Sequence, residues 1–285
     1  MTEQAWRVAL ITTVTPVAEL LVPALRELGH EPVAVISARR TPPLDPERRG
    51  FPELSDSTAP PGLDVMIARD KWSMEPLLRA CDPDLAVCWG FPWRIPLPAL
   101  QVARLGSINA HPAMLPRHRG PIPISWAIRD RDGQYGVTWH RMDANLDTGG
   151  ILAQAPVPME DDDFRMDVVG PRIAGVALGL LPLVLERVAR GDPGDPQPAE
   201  GATWAGHFDE DYSTVDWSRP SREIHDQVRA WAFTAGTTPV VGPVADLEGR
   251  RVRLTRTGLS DPGEGAIRVE AGDGPIWVVA SEPLD

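Results

Sequence analysis

Between residues 6 and 111 the apolar residues change rhythm at nearly regular intervals, and this alternation narrows the fold more than any other feature of the chain. "WRVALITT" (6–13) is a continuous apolar run, the pattern of a strand buried on both faces. Val17, Leu20, Leu21, Ala24, Leu25 and Leu28 then recur at helical spacing, and Gly29 supplies a stop. "EPVAVIS" (31–37), "DVMIA" (64–68), "DLAVCWG" (84–90) and "LGSINAH" (105–111) read as further strands, with "KWSMEPLLRAC" (71–81) as a helix among them. Residues 40–62, rich in Pro, Arg and acid, read as an irregular excursion. Repeated β-then-α units predict an α/β protein with a doubly wound, mostly parallel sheet.

Downstream the pattern loosens. "PISWAIRDRD" (123–132) reads as a helix, "YGVTWHRMD" (135–143) as a strand and "GGILAQAPVPM" (149–159) as an extended segment. Residues 163–190 carry Ile173, Val176, Ala177, Leu180, Leu181, Val184, Leu185 and Val188, a long amphipathic helix. "GDPGDPQPAEG" (191–201) is a linker by composition. Beyond it, "EIHDQVRAW" (223–231) predicts a helix, and "RRVRLTR", "AIRVEA" and "PIWVVAS" predict short strands. The chain therefore divides into 1–190, a Pro-rich linker 191–201, and a small, mostly β unit 202–285.

Composition excludes several classes. The formal net charge is −12, which disfavours a general nucleic-acid binder. No leader segment is visible at "MTEQAWRVALITT", and no uninterrupted apolar run reaches the ~20 residues that span a bilayer. A cytoplasmic protein without membrane contact is the expectation. Cys81 and Cys88 have neither zinc nor redox spacing and read as buried thiols. "ITTVTPVAEL" after the first strand has no glycine, so a dinucleotide site is not expected, and the six histidines lack ligand spacing for a metal.

What remains is chemistry at a strand end. Asn109 and His111 stand two residues apart, so on a strand they share a face. Pro112 and Pro116 then end the strand, at the position where open α/β sheets bind ligands. Asp147 follows in "MDANLDTGG", where glycines allow a close approach. Together the three residues suit acyl or formyl transfer between two nitrogens without a covalent enzyme intermediate. Asn109 would donate to an oxygen gaining charge. His111 would move protons between attacking and leaving amines. Asp147 would orient His111 or raise its pKa. Each also has a structural reading: Asn109 as a turn former, His111 as a buried ring, Asp147 as the start of a turn.

The stretch "LGSINAHPAMLPRHRGPIPISWAI", followed by "GVTWHRMDANLDTGGILAQ", resembles the catalytic core of the folate-dependent formyltransferases. The resemblance extends upstream through "DPDLAVCWGFPWRIP" and downstream to "VDWSRPSREIHDQVRAW", toward the methionyl-tRNA formyltransferase branch. It implies a Rossmann-like core over 1–190, a barrel-like C-terminal domain, and the catalytic trio Asn109, His111 and Asp147. It implies 10-formyltetrahydrofolate as co-substrate, its pterin among Trp93, Arg94, Ile95, Pro96 and Asp143, Ala144, Asn145. The formyl group would lie at Asn109 beside Ala113, Met114, Leu115 and Pro116. His118 and His140 match no catalytic position and are assigned structural roles.

The acceptor is read from charge. Residues 201–285 hold 8 Arg, no Lys and 14 Asp or Glu, a net −6. A domain gripping tRNA needs Lys and Arg against phosphates. A small-molecule amine (an amino sugar, an amino acid or an intermediate of a specialised metabolite) is therefore favoured over tRNA, although "GRRVRLTR" (249–256) is locally basic. Two other classes stay open: a hydrolase that passes the formyl group to water, and a folate-binding protein without turnover.

Overall fold

The structure, a computed structural model, describes residues 5–39, 54, 60–234 and 240–284. Most of the 40–62 excursion lies outside the described residues. Seven strands build the main sheet: β1 (Arg7–Ile11), β2 (Glu31–Ala38), β3 (Asp64–Ala68), β4 (Leu85–Trp89), β5 (Ser107–His111), β6 (Gln134–Arg141) and β7 (Ile151–Pro158). Their order is β3-β2-β1-β4-β5-β6-β7. The chain moves outward from β1 to β3, then crosses back to β4 on the other side of β1. All pairs from β3 to β5 are parallel, whereas β6 runs antiparallel to β5 and β7 to β6. The carboxyl ends of β1, β4 and β5 thus meet beside a reversal of strand order, where such sheets bind ligands.

The helices follow from the apolar rhythm. In α1 (Thr15–Glu27), Val17, Ala18, Leu21, Val22 and Leu25 are buried against the sheet, while Glu19, Arg26 and Glu27 face water. A Leu21→Ala cavity there would cost about 2–5 kcal/mol. The opposite face is covered by α2 (Met74–Cys81) and α3 (Leu97–Leu100), through Met74, Leu78, Ala99 and Leu100. Cys81 and Cys88 are buried free thiols in that layer. The helix α4 (Pro123–Arg129) follows the proline loop after β5.

The longest helix, α5 (Met166–Ala189), is apolar enough to cross a membrane by length and composition, with a mean hydropathy of 1.9 over its best window. Its uninterrupted apolar run is shorter, because Arg172 and Glu186 bound it. Val169, Ile173, Ala177, Leu181, Val184 and Val188 are buried in the main core, where Ala177 O also accepts the indole N–H of Trp139 (2.9 Å). Core packing accounts for that inner face.

Among its described residues the C-terminal unit has one α-helix, α6 (Ser221–Ala232), and the strands β8 (Val244–Leu247), β9 (Arg250–Gly258), β10 (Ile267–Ala271) and β11 (Gly274–Pro283). These form an antiparallel sheet in the order β10-β11-β9-β8, with the 213–215 segment bridging the outer edge of β8 at Val244. Ile224 and Val228 of α6 are buried against Leu254, Ile276 and Val278.

Residues 191–201, expected as a linker, are tied to the main sheet. Asp195 and Ile151 exchange two backbone hydrogen bonds of 2.8 Å. Two N–H groups of Arg141 donate to Asp192 O (3.0 and 2.8 Å), and Arg187 pairs with Asp192 and Asp195. A side chain at Gly150 would put its Cβ 2.3 Å from Pro193 O, so only glycine lets the two backbones meet.

Candidate functional site

β5 carries the polar pair to the sheet's carboxyl end, and β6 supplies a third group beside it. The antiparallel register sets Asn109 opposite His140 and His111 opposite Thr138. Residues opposed in this way bring their side chains together, and Asn109 Nδ2 lies 3.1 Å from His140 Nε2. His140 Nδ1 donates to Arg141 O (2.7 Å), which leaves Nε2 as the acceptor in the neutral ring. That fixes the orientation of the Asn109 amide. Its second N–H points at Asp147 Oδ1, 3.4 Å away. His140, assigned a structural role from sequence, is thus part of the site.

Asp147 closes the cluster from the loop after β6. Its backbone is left-handed (φ 57°), a conformation Asp tolerates better than most residues. Gly120 N–H donates to Oδ2 at 3.0 Å, and His111 Nδ1 lies 3.6 Å from the same oxygen. Burial alone would raise this carboxyl, but His111 beside it and the Gly120 N–H hold it at about 2. It is an anion at any working pH.

His111 is buried, and its Nε2–H donates to the carbonyl of His118 (2.8 Å). A carbonyl only accepts, so Nε2 carries the proton and Nδ1 is the nitrogen free to take another. Burial pushes this imidazole below its ordinary 6.5, against the pull of Asp147. The ring is neutral at pH 7, with an anion waiting beside the atom that would become charged.

The cleft over this cluster is lined by Trp93, Arg94, Ile95, His140, Met142, Asp143, Asn145, Leu146 and Asp147. Of the expected folate contacts, Trp93, Arg94, Ile95, Asp143 and Asn145 come together there. Asp143 is braced by the Thr148 hydroxyl (2.7 Å) and accepts the Asn145 N–H (2.9 Å). The remaining expected contacts do not line it. Pro96 caps α3, and Ala144 is exposed on its loop. Ala113 and Leu115 are buried because their backbone groups bond the Thr138 hydroxyl (2.7 and 3.2 Å), which turns the loop toward β6. Met114 and Pro116 are half-buried in that loop.

Two other polar clusters are already neutralised. His118, Asp130 and Asp132 could hold a metal by spacing. Arg117 reaches both carboxylates, and His118 Nε2 is 2.6 Å from Asp132. A more polar cleft between α4 and α6 is lined by Arg129, Arg131, Arg219, Glu223 and Asp226 among others. There Arg131 pairs with Glu223 and Asp226, and Arg219 with Glu223.

Comparison with known proteins bears on this arrangement. A methionyl-tRNA formyltransferase of Paracoccus denitrificans is 33% identical over 210 residues, 71% of this chain and 67% of that protein. One from Synechococcus sp. is 32% identical over 63% of this chain, and the match spans only 53% of that relative. An N-formyltransferase of Helicobacter canadensis, solved with folinic acid and dTDP-3-aminofucose, superimposes with a TM-score of 0.68 at 17% identity, covering 98% of this chain and 99% of that one. HypX of Aquifex aeolicus, solved with tetrahydrofolic acid, gives 0.67 at 18% identity over 99% of this chain and 45% of its own. The formyl transferase family model matches residues 1–184, through all seven strands of the main sheet, and so the chain belongs to the formyl transferase family.

Proposed function

We propose that this chain is an N-formyltransferase that moves the formyl group of 10-formyltetrahydrofolate to the primary amine of a small molecule. The observation that carries the chemistry is the cluster of Asn109, His111 and Asp147 at the end of β5 beside an open cleft. The side chains around the cleft have the mix a flat heteroaromatic ring takes: Trp93, Ile95, Met142 and Leu146 are apolar, with Asp143, Asn145 and exposed Arg94 as polar groups. The donor supplies an activated formyl carbon. His111 Nδ1 takes a proton from the acceptor amine as it attacks, and returns one to the departing nitrogen. Asp147 stabilises the imidazolium formed in between. Asn109 gives the formyl oxygen the N–H it now spends on Asp147, the longer of its two bonds.

Charge favours the small acceptor. The C-terminal unit has a net −6 over 201–285, and its stretch "FDEDY" (208–212) is acidic. The basic strand β9 is partly spent internally: Arg253 pairs with Glu282. Solved neighbours of this fold include sugar N-formyltransferases, so the architecture accommodates such acceptors. The test is tetrahydrofolate release from 10-formyltetrahydrofolate with amino sugars and amino acids, with charged initiator tRNA, or with buffer alone. Release only with a small amine is the expected result. Release only with tRNA overturns the acceptor assignment, and release in buffer alone assigns a hydrolase.

A further inference from the structure

We propose that Gln197 is a positioning residue for the reaction, acting through Asp147; this rests on the reading of Asn109, His111 and Asp147 given above. The Gln197 Nε2 donates to the carbonyl oxygens of Asp147 (2.9 Å) and Gly149 (2.8 Å). Its Oε1 accepts from Arg119 Nε (2.9 Å). Both N–H groups and the carbonyl of one side-chain amide are therefore spent on two separate loops.

Those two loops are what hold the Asp147 carboxylate. One is its own left-handed backbone, whose carbonyl Gln197 grips. The other is residues 119–120: Gly120 N–H bonds Oδ2, and Arg119 immediately before it is held by Gln197. A single amide thus ties the main chain of Asp147 to the loop that fixes its side chain. The strap that delivers Gln197 is anchored without it, through Asp195 to Ile151 and through Arg141 and Arg187 to Asp192. Removing the amide releases the bridge and leaves the strap in place. A displacement of about 1 Å in a reacting group is enough to cost about 10²-fold in rate.

The titratable groups facing His111 are Asp147, His140 and His118. The Asp147 charge raises the His111 pKa, as does the hydrogen bond to the His118 carbonyl, and Asp147 is the partner a lost bridge would loosen. In Gln197→Leu, kcat is expected to fall about 10–100-fold. The KM for the folate donor should stay within about threefold, since Gln197 does not line the cleft. The His111 imidazole, followed by NMR titration without any acceptor, should titrate at lower pH than in the wild type. Gln197→Glu keeps the size and the acceptor for Arg119 but loses both donors, and it should fall as far. Wild-type kcat with an unmoved His111 titration in either folded variant overturns the proposal, as does a lowered Tm with unchanged kcat. Asp147→Asn, assayed alongside, separates the two claims. If it turns over normally, the reading of the site itself fails. If it is inactive while both Gln197 variants are normal, only the role of Gln197 fails.

Discussion

Two buried charge clusters in this molecule solve the same electrostatic problem differently. At the end of β5, Asp147 is surrounded by imidazoles and an amide. At the junction of the two units, Asp226 is surrounded by Arg229, Arg222 and Arg131. Arg229, only 1% exposed, also donates to the carbonyls of Glu160 and Asp163. Guanidinium groups keep their protons at all working pH values, so the second cluster holds fixed charge and locks α6 to the segment before α5. The first has partners that gain and lose protons, and it opens onto a cleft. A buried carboxylate marks chemistry when its partners can titrate, and cement when they cannot.

That contrast can be broken most forcefully at the first cluster. His111→Ala or Asp147→Ala should reduce formyl transfer about 10²–10⁴-fold. Folate affinity should stay within about tenfold, roughly 1.4 kcal/mol. Unimpaired turnover in either would remove the distinction. At the second cluster, Arg229→Ala leaves Asp226 buried beside fewer cations and should cost about 3–5 kcal/mol of stability in denaturant titrations. The activity of the folded fraction at low temperature should be unchanged.

The pH dependence sharpens the same point. The folded-state pKa of His111 lies below 6.5, so the neutral ring proposed as the proton acceptor predominates at pH 7, and activity is expected to fall as pH drops through that lowered value. Stability follows in the same direction. The unfolded chain binds a proton at His111 before the folded one does, so stability declines as pH drops below about 6.5. Asp147, held at about 2, contributes stability above the unfolded value of about 3.9 that disappears as pH falls toward 2. A pH–rate profile and acid denaturation of His111→Gln test both signs: the variant should lose less stability between pH 6.5 and 5 than the wild type.

The smallest effect is expected at His225, the imidazole of the second region. It accepts from Thr257 Oγ1 (3.0 Å) and donates to Asp161 O (2.9 Å). His225→Gln can preserve both bonds and should change stability by no more than about 1 kcal/mol, with kcat unchanged. A large loss of activity there would make the junction part of the chemistry.

Much of this was legible in the chain itself. The alternating apolar rhythm specified the parallel half of the sheet, and the two-residue spacing of Asn109 and His111 put both at one strand end. Asp147 was visible through the glycines after it. His140 was not, because its contact depends on β6 running antiparallel to β5, and periodicity carries no direction. Gln197 was hidden by its surroundings, since "GDPGDPQPAEG" has a linker's composition and only the packed backbone turns it into a strap. β8 was missed because four residues, Val244–Leu247, are too few to show a period. Ala113 and Leu115 face inward for a reason the loop sequence does not contain: Thr138, twenty-odd residues later, claims its backbone.

The strap also fixes where this protein can be cut or recombined. Composition invites a boundary at residue 190, but a fragment ending there would lose Gln197. It would also lose the run in which Arg119 and Ile122 bond Thr203 and Ala205. A chimera carrying a foreign C-terminal unit should therefore retain this chain through Gly206, whose carbonyl still receives the Trp126 indole N–H. Exchange of C-terminal units within this family is thus a question of splicing after the last residue tied to the main sheet's loops rather than after the last helix of the main domain.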